Sequence, residues 1–166
     1  MNEHYKNDAE EFKDINKADA REFFEKAESD DNRYFYYEVF PSVVSNDDKY
    51  LSLMMRTEVN LLGAHGTYTI EGWNFDKKTG KKLRIFDIVK SKEDLKNFLL
   101  SWCEENSENI DFFDEYEEII ESYINNEYEM QFVIENGIVS VIFQIYDLAP
   151  YAQGAIEIIL DNEIIK

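Results

Sequence analysis

Residues 130–146 read MQFVIENGIVSVIFQIY. Two runs rich in β-branched and aromatic residues, 130–135 and 138–146, flank Asn136-Gly137. That dipeptide tolerates the two positive-φ positions of a two-residue hairpin turn better than almost any other. The stretch predicts an antiparallel strand pair. Downstream, 147–154 is a loop and 155–160 a last strand.

Upstream, the period changes. Phe112, Tyr116, Ile119, Ile120, Tyr123 and Ile124 recur at helical spacing and predict a helix over 111–126, with Asp114, Glu115, Glu117, Glu118 and Glu121 mostly toward water. Ser91 and Asp94 form a capping-box-like start for a helix carrying Leu95, Phe98, Leu99, Trp102 and Cys103 on one stripe. Before it lies a β region: 34–45 with Pro41 marking an edge or bend, 49–59, 67–75, a turn at 76–80, and a returning fourth strand over 81–86. In 49–59, Leu51, Leu53, Met55, Thr57 and Val59 share one face. A first helix over 9–28 follows a disordered lead-in, 1–8. The expected fold class is α+β: an antiparallel sheet meander with one helix before it and two helices inserted before the C-terminal strands. Residues 9–166 read as a single α+β domain, with 9–48 a smaller N-terminal module and 49–166 the main one.

The chain has 166 residues, enough to bury a core. Its 36 acidic and 17 basic residues give a net charge of −19. This argues against nucleic acid, whose binding needs cations to displace phosphate counterions, and against an anionic membrane surface. A basic protein is the natural complement. Segment 97–135 concentrates the charge, with 12 acids and no Lys or Arg. It is either a solvated face or a surface that attracts a basic partner. No stretch approaches the ~20 apolar residues of a membrane span, so no direct membrane insertion is expected. By composition, either the protein is cytoplasmic or this is a soluble part of a longer chain whose membrane tether lies outside this stretch.

Catalytic groups are scarce. The single cysteine, Cys103, excludes an internal disulfide; it reads as packed, with Glu104 and Glu105 disfavouring the thiolate. Two histidines, His4 and His65, offer little to a metal. No phosphate-binding glycine loop, metalloprotease motif or nucleophile elbow is present. No catalytic residue, metal or cofactor is expected, and the chain is read as a non-enzyme.

Two segments stand apart. In 62–68, Gly63 and Gly66 bracket Ala64 and His65 ahead of Thr67 and Tyr68. Glycines permit positive φ and close backbone approach. The segment is a tight connection with His65 bonded to backbone, or a site. In 146–154, Pro150 fixes its own φ and extends Ala149, Gly154 releases the chain into the last strand, and Tyr146 and Tyr151 are aromatic. It is a packed corner or a binding edge.

Together these segments resemble an extracellular domain family, the RsiV/PdaC-like domains. The resemblance lies in Gly63-Ala64-His65-Gly66, in Asn74, Phe75, Asp76, Thr79, Gly80 and Lys81 of the hairpin, in Asp87-Ile88, and in Tyr146, Ala149, Pro150, Tyr151 and Gly154 of the last turn. The C-terminal half of the family pattern covers roughly 50–160. Its members include the lysozyme-binding ectodomains of membrane-bound anti-sigma factors and non-catalytic modules of peptidoglycan deacetylases. The resemblance implies a domain on the extracellular face of the cell envelope that recognises a protein or wall component without catalysis of its own, with lysozyme, a basic protein that complements this chain's charge, among the candidates. The other reading is an accessory domain of a wall-modifying enzyme. Partner-binding residues would be His65, Thr67, Tyr68, Tyr146, Pro150 and Tyr151, shaped by Gly63, Gly66 and Gly154. Both loops are expected close together, on one partner-facing edge.

Overall fold

A computed structural model describes residues 2–26, 36–61, 65–126 and 128–166. The chain is α+β. Helix α1 (Asn2–Lys26) precedes strands β1 (Tyr36–Asn46), β2 (Tyr50–Asn60) and β3 (Thr67–Asp76), which form a sheet in that order. Helices α2 (Ile85–Ile88), α3 (Lys92–Asn106) and α4 (Tyr116–Ile124) follow. Strands β4 (Gln131–Glu135), β5 (Ile138–Phe143) and β6 (Ile156–Ile159) close the chain as a second sheet, ordered β4-β5-β6 and antiparallel.

Two compact units emerge: residues Met1–Phe40 with Arg56–Tyr68, and residues Pro41–Met55 with Thr69–Lys166. The first overlaps the smaller module expected over 9–48 at 9–40, takes in residues 1–8 and Arg56–Tyr68 besides, and leaves 41–48 to the second.

In the first unit, α1 begins at Asn2, where a disordered lead-in was expected over 1–8. His4 and Lys6 face Asp8 and Glu10 one turn on, at 3.4 and 3.9 Å, and such i,i+4 pairs support a first turn that has little apolar content. Positions 27, 28, 34 and 35 of the expected elements lie outside the described residues.

The second unit holds the core. Leu95, Leu99 and Cys103 of α3 and Ile120, Tyr123 and Ile124 of α4 pack on Phe132, Ile134, Val139, Val141, Phe143, Ile156 and Ile158 of the second sheet. Val139–Phe143 are all buried, so the central strand is covered on both faces. The Asn136-Gly137 turn is as expected, with φ of 51° and 83°. So is the start of α3, where Ser91 Oγ accepts from the Asp94 N–H at 3.0 Å.

In this unit two expectations fail. The fourth strand over 81–86 reduces to one bridge, Phe75 with Lys82, before α2. The Asp87 carboxylate accepts from the Arg84 N–H at 3.0 Å and from Lys81 Nζ at 2.9 Å, which turns the chain into a helical turn. The helix expected over 111–126 starts only at Tyr116. Phe113 donates its N–H to Leu148 O at 2.9 Å, and Phe112 leaves the helix to pack between Trp102 and Tyr116.

Strand β4 is an edge, and its outward backbone is covered by side chains. Asn74 Nδ2 donates to Phe132 O at 2.6 Å, Ser52 Oγ accepts from Ile134 N at 3.0 Å, and Ser45 Oγ donates to Ile134 O at 2.8 Å. Ser52 Oγ also donates to Asn74 Oδ1 at 2.6 Å, so the buried groups satisfy one another. Gly72 makes the approach possible: a Cβ there would stand 1.8 Å from Phe132 O. Ser52 is therefore buried from the β2 face opposite to that of Met55 and Thr57, and no single face of β2 is the buried one.

Candidate functional site

The segment 146–154 is a braced corner of the second unit. After β5 the chain turns with the Asp147 N–H donating to Gln144 O at 3.1 Å. The Asp147 carboxylate holds the turn from inside: Oδ2 accepts from Gln144 N and from the Tyr123 hydroxyl, both at 2.6 Å. Tyr123 is buried, with its ring edge-on to Phe143 at 5.1 Å. Burial, and then the bond to the Asp147 carboxylate, hold its hydroxyl well above the usual tyrosine range, as a donor. The Gln144 amide grips Ile70 of β3, accepting from its N–H and donating to its carbonyl, each at 2.8 Å. The side chain thus acts as one more rung beside β3.

Leu148 and Ala149 plug the core at 0 % and 2 % exposure. Pro150 then starts a 3₁₀ turn, Tyr151–Gln153, closed by Gln153 N donating to Pro150 O at 2.9 Å. Gly154 leaves with φ 72° and ψ −163°, a conformation that only glycine adopts without strain. The plug and the turn leave Tyr146 exposed and Tyr151 half-buried, with ring centroids 5.7 Å apart at 39°. Tyr146 has φ 68°, left-handed backbone in a bulky residue, and is spanned by the bond from Gln144 N to the Asp147 carboxylate. The arrangement is a fixed aromatic pair on a rigid turn. It offers shape, hydroxyls and apolar area to another surface.

The corner adjoins the acidic stretch directly, because Leu148 O is the acceptor for Phe113 N. Asp111 and Asp114 flank that residue. Every described acid of 97–135 except Glu121 is exposed, and Glu121 pairs with Lys96 of α3. That pairing raises Lys96 and lowers Glu121 from their usual ranges.

The other predicted residues lie in the first unit. His65 is exposed, and its Nδ1–H donates to Gly66 O at 2.9 Å, the backbone role. Thr67 is exposed. Tyr68 is half-buried beneath the Arg56 guanidinium, 4.0 Å from the ring centroid, while Arg56 Nε donates to Glu58 at 2.8 Å. Gly66 is glycine for proximity: a Cβ would stand 3.1 Å from Val59 O and 3.3 Å from the Tyr36 hydroxyl. Gly63 lies outside the described residues. The structure brings Tyr146, Pro150 and Tyr151 together in one unit and His65, Thr67 and Tyr68 in the other.

The sequence reading missed the braces Tyr123, Asp147, Gln144 and Phe113. Only Asp147 carries a local signal, an aspartate in a turn. Several residues of the family resemblance are framework: Asn74 covers β4, Asp76 Oδ1 accepts from the N–H and hydroxyl of Thr79 at 2.7 and 2.8 Å, and Asp87 starts α2. Cys103 is fully buried, and burial pushes its thiol up to about 12. Burial, rather than Glu104 and Glu105, is the cause.

No family model matches the chain, and neither does any of the curated proteins compared with it. Among solved structures, the chain resembles a member of the DUF3298 family from Bacteroides fragilis NCTC 9343, with TM-score 0.62 and 19 % identity over 99 % of this chain and 68 % of that one. It also resembles a DUF3298 family protein from Pseudomonas aeruginosa PAO1, with TM-score 0.57 and 20 % identity over 88 % of this chain and 67 % of that one. At these identities the likeness is one of fold: the chain has the architecture of these DUF3298 domains of unknown function.

Proposed function

We propose that this chain is a non-catalytic recognition domain of the extracellular cell envelope that captures a basic protein, with lysozyme the leading ligand. One observation carries the reading: the tyrosine corner is hydrogen-bonded, through Leu148 O, to the middle of a long acidic stretch. The acids attract a cationic partner from a distance, and the tyrosines contribute the short-range contact. Tyrosine suits that role because it buries large area with few rotors to freeze. The left-handed backbone of Tyr146 agrees, since strained residues cluster at functional surfaces. The sequence resemblance to lysozyme-binding ectodomains supplies the ligand. Among the described residues no helix is long and apolar enough to cross a membrane.

Surface-binding kinetics with a basic animal-type lysozyme at two salt concentrations provide the test. Tyr151→Ala is expected to raise the dissociation rate about tenfold or more. Joint replacement Asp114→Asn, Glu117→Gln and Glu118→Gln is expected to slow association several-fold at low salt and much less at high salt. Wild-type protein that ignores lysozyme but is retained on insoluble peptidoglycan would favour the accessory-domain reading instead.

A further inference from the structure

We infer that the groove between α1 and the start of β1 is a binding site for a long-chain fatty carboxylate. It lies wholly within the first unit and has a volume of about 680 Å³, within the range of small-molecule sites. Its walls are apolar and aromatic, from Phe12 and Phe24 of α1 and Tyr36 and Tyr37 of β1; the Phe12 and Tyr37 rings stand 5.6 Å apart.

Charge along one edge selects the ligand. Lys13, Lys17 and Arg21 follow one another at four-residue steps, so they line the same side of the helix. In a chain with 36 acids, none of the three has an ion-pair partner among the described residues. Their methylene stems extend the apolar wall while their charged heads stand at the rim. Such a groove takes an apolar chain and holds an anionic head beside it. Glu25, the acid among the lining residues, repels the head from the Phe24 end. A polyanion would leave the aromatic wall unused, and a neutral lipid would leave the cations unused.

The chain is titrated calorimetrically with laurate, 1-dodecanol and butyrate below the aggregation limit of each. Laurate is expected to bind one to one, and the alcohol and the short acid at least about tenfold more weakly. The variant Lys13→Gln, Lys17→Gln, Arg21→Gln alters exposed side chains only, and retained helical circular dichroism verifies its fold. It is expected to lose about tenfold in laurate affinity. A control with the same charge change away from α1, Lys78→Gln, Lys82→Gln, Lys90→Gln, alters exposed side chains of the other unit and should stay within about twofold of wild type. The proposal is overturned by absent laurate binding, by several laurates per chain, by equal affinity for dodecanol, or by a groove variant that binds like its control.

Discussion

In the unit formed by residues 1–40 and 56–68, Tyr5 and Thr57 are the buried side chains among the described residues, and α1 shows mainly charged groups and half-buried aromatics. In the other unit, α3, α4 and the second sheet enclose a continuous core that includes nine aliphatic or aromatic side chains at 0–1 % exposure from Val89 to Ile158, besides the polar cover over β4. Burial of apolar area is the main favourable term in folding, so the two units differ in how strongly their own contacts hold them. The first is the place for grooves and adaptable contacts. The second is a scaffold that fixes the tyrosine corner.

The sharpest way to break this contrast is at Gly72. Gly72→Val places a Cβ on the Phe132 backbone, where no flexible side chain can yield. The expected cost is more than about 4 kcal/mol, enough to unfold the second unit, read as loss of the cooperative urea transition.

A matched pair of truncations sharpens it. Ile120 is fully buried in α4, and Ile120→Ala is expected to cost about 3 kcal/mol. Phe12 is half-buried in α1, and Phe12→Ala should cost less than about 1 kcal/mol despite removing more atoms. Equal costs in chemical denaturation would erase the distinction between the units.

How far the sequence discloses each region follows from the range of its interactions. The Asn136-Gly137 hairpin and the Ser91 cap are local, since the residues that need the conformation also create it. The stripe of α4 is legible because Ile120, Tyr123 and Ile124 all face one core. Its late start is not, because the bond that draws out Phe113 comes from Leu148, far along the chain. The fourth strand misleads in the same way, since the Asp87 bonds to Arg84 and Lys81 outweigh the strand propensity of Leu83, Ile85 and Phe86. At the candidate site, Pro150, Gly154 and the two tyrosines mark a corner. The braces that make it rigid, Tyr123 and Gln144, look in sequence like any helix or strand residue.

The cover over β4 contributes the next effect. Asn74→Ala leaves Phe132 O buried without its donor and takes from Ser52 Oγ its acceptor, at an expected cost of about 2 kcal/mol. Ser52→Ala orphans Ile134 N in turn. The double variant should cost clearly less than the sum, because the two residues share one network. Strict additivity would show that they act independently.

A pH dependence builds up gradually, and it too belongs to the scaffold. Burial pushes the Cys103 thiol up from 9.0 to about 12. Above pH 9 the unfolded chain releases this proton while the folded chain keeps it, so the unfolded state binds fewer protons and stability falls as pH rises. Tyr123, also raised by burial, acts in the same direction at higher pH. Cys103→Ala removes the thiol contribution alone and leaves every other titrating group in place. The stability difference between wild type and this variant is therefore expected to shift against wild type with a slope that steepens above pH 9 and approaches about 1.4 kcal/mol per pH unit between pH 10 and pH 11. Urea midpoints at half-unit steps give the slope. A flat difference would mean that the thiol titrates alike in both states and that the α3 stripe opens to solvent around Cys103. That outcome would place the helix layer nearer in character to the first unit than its packing suggests.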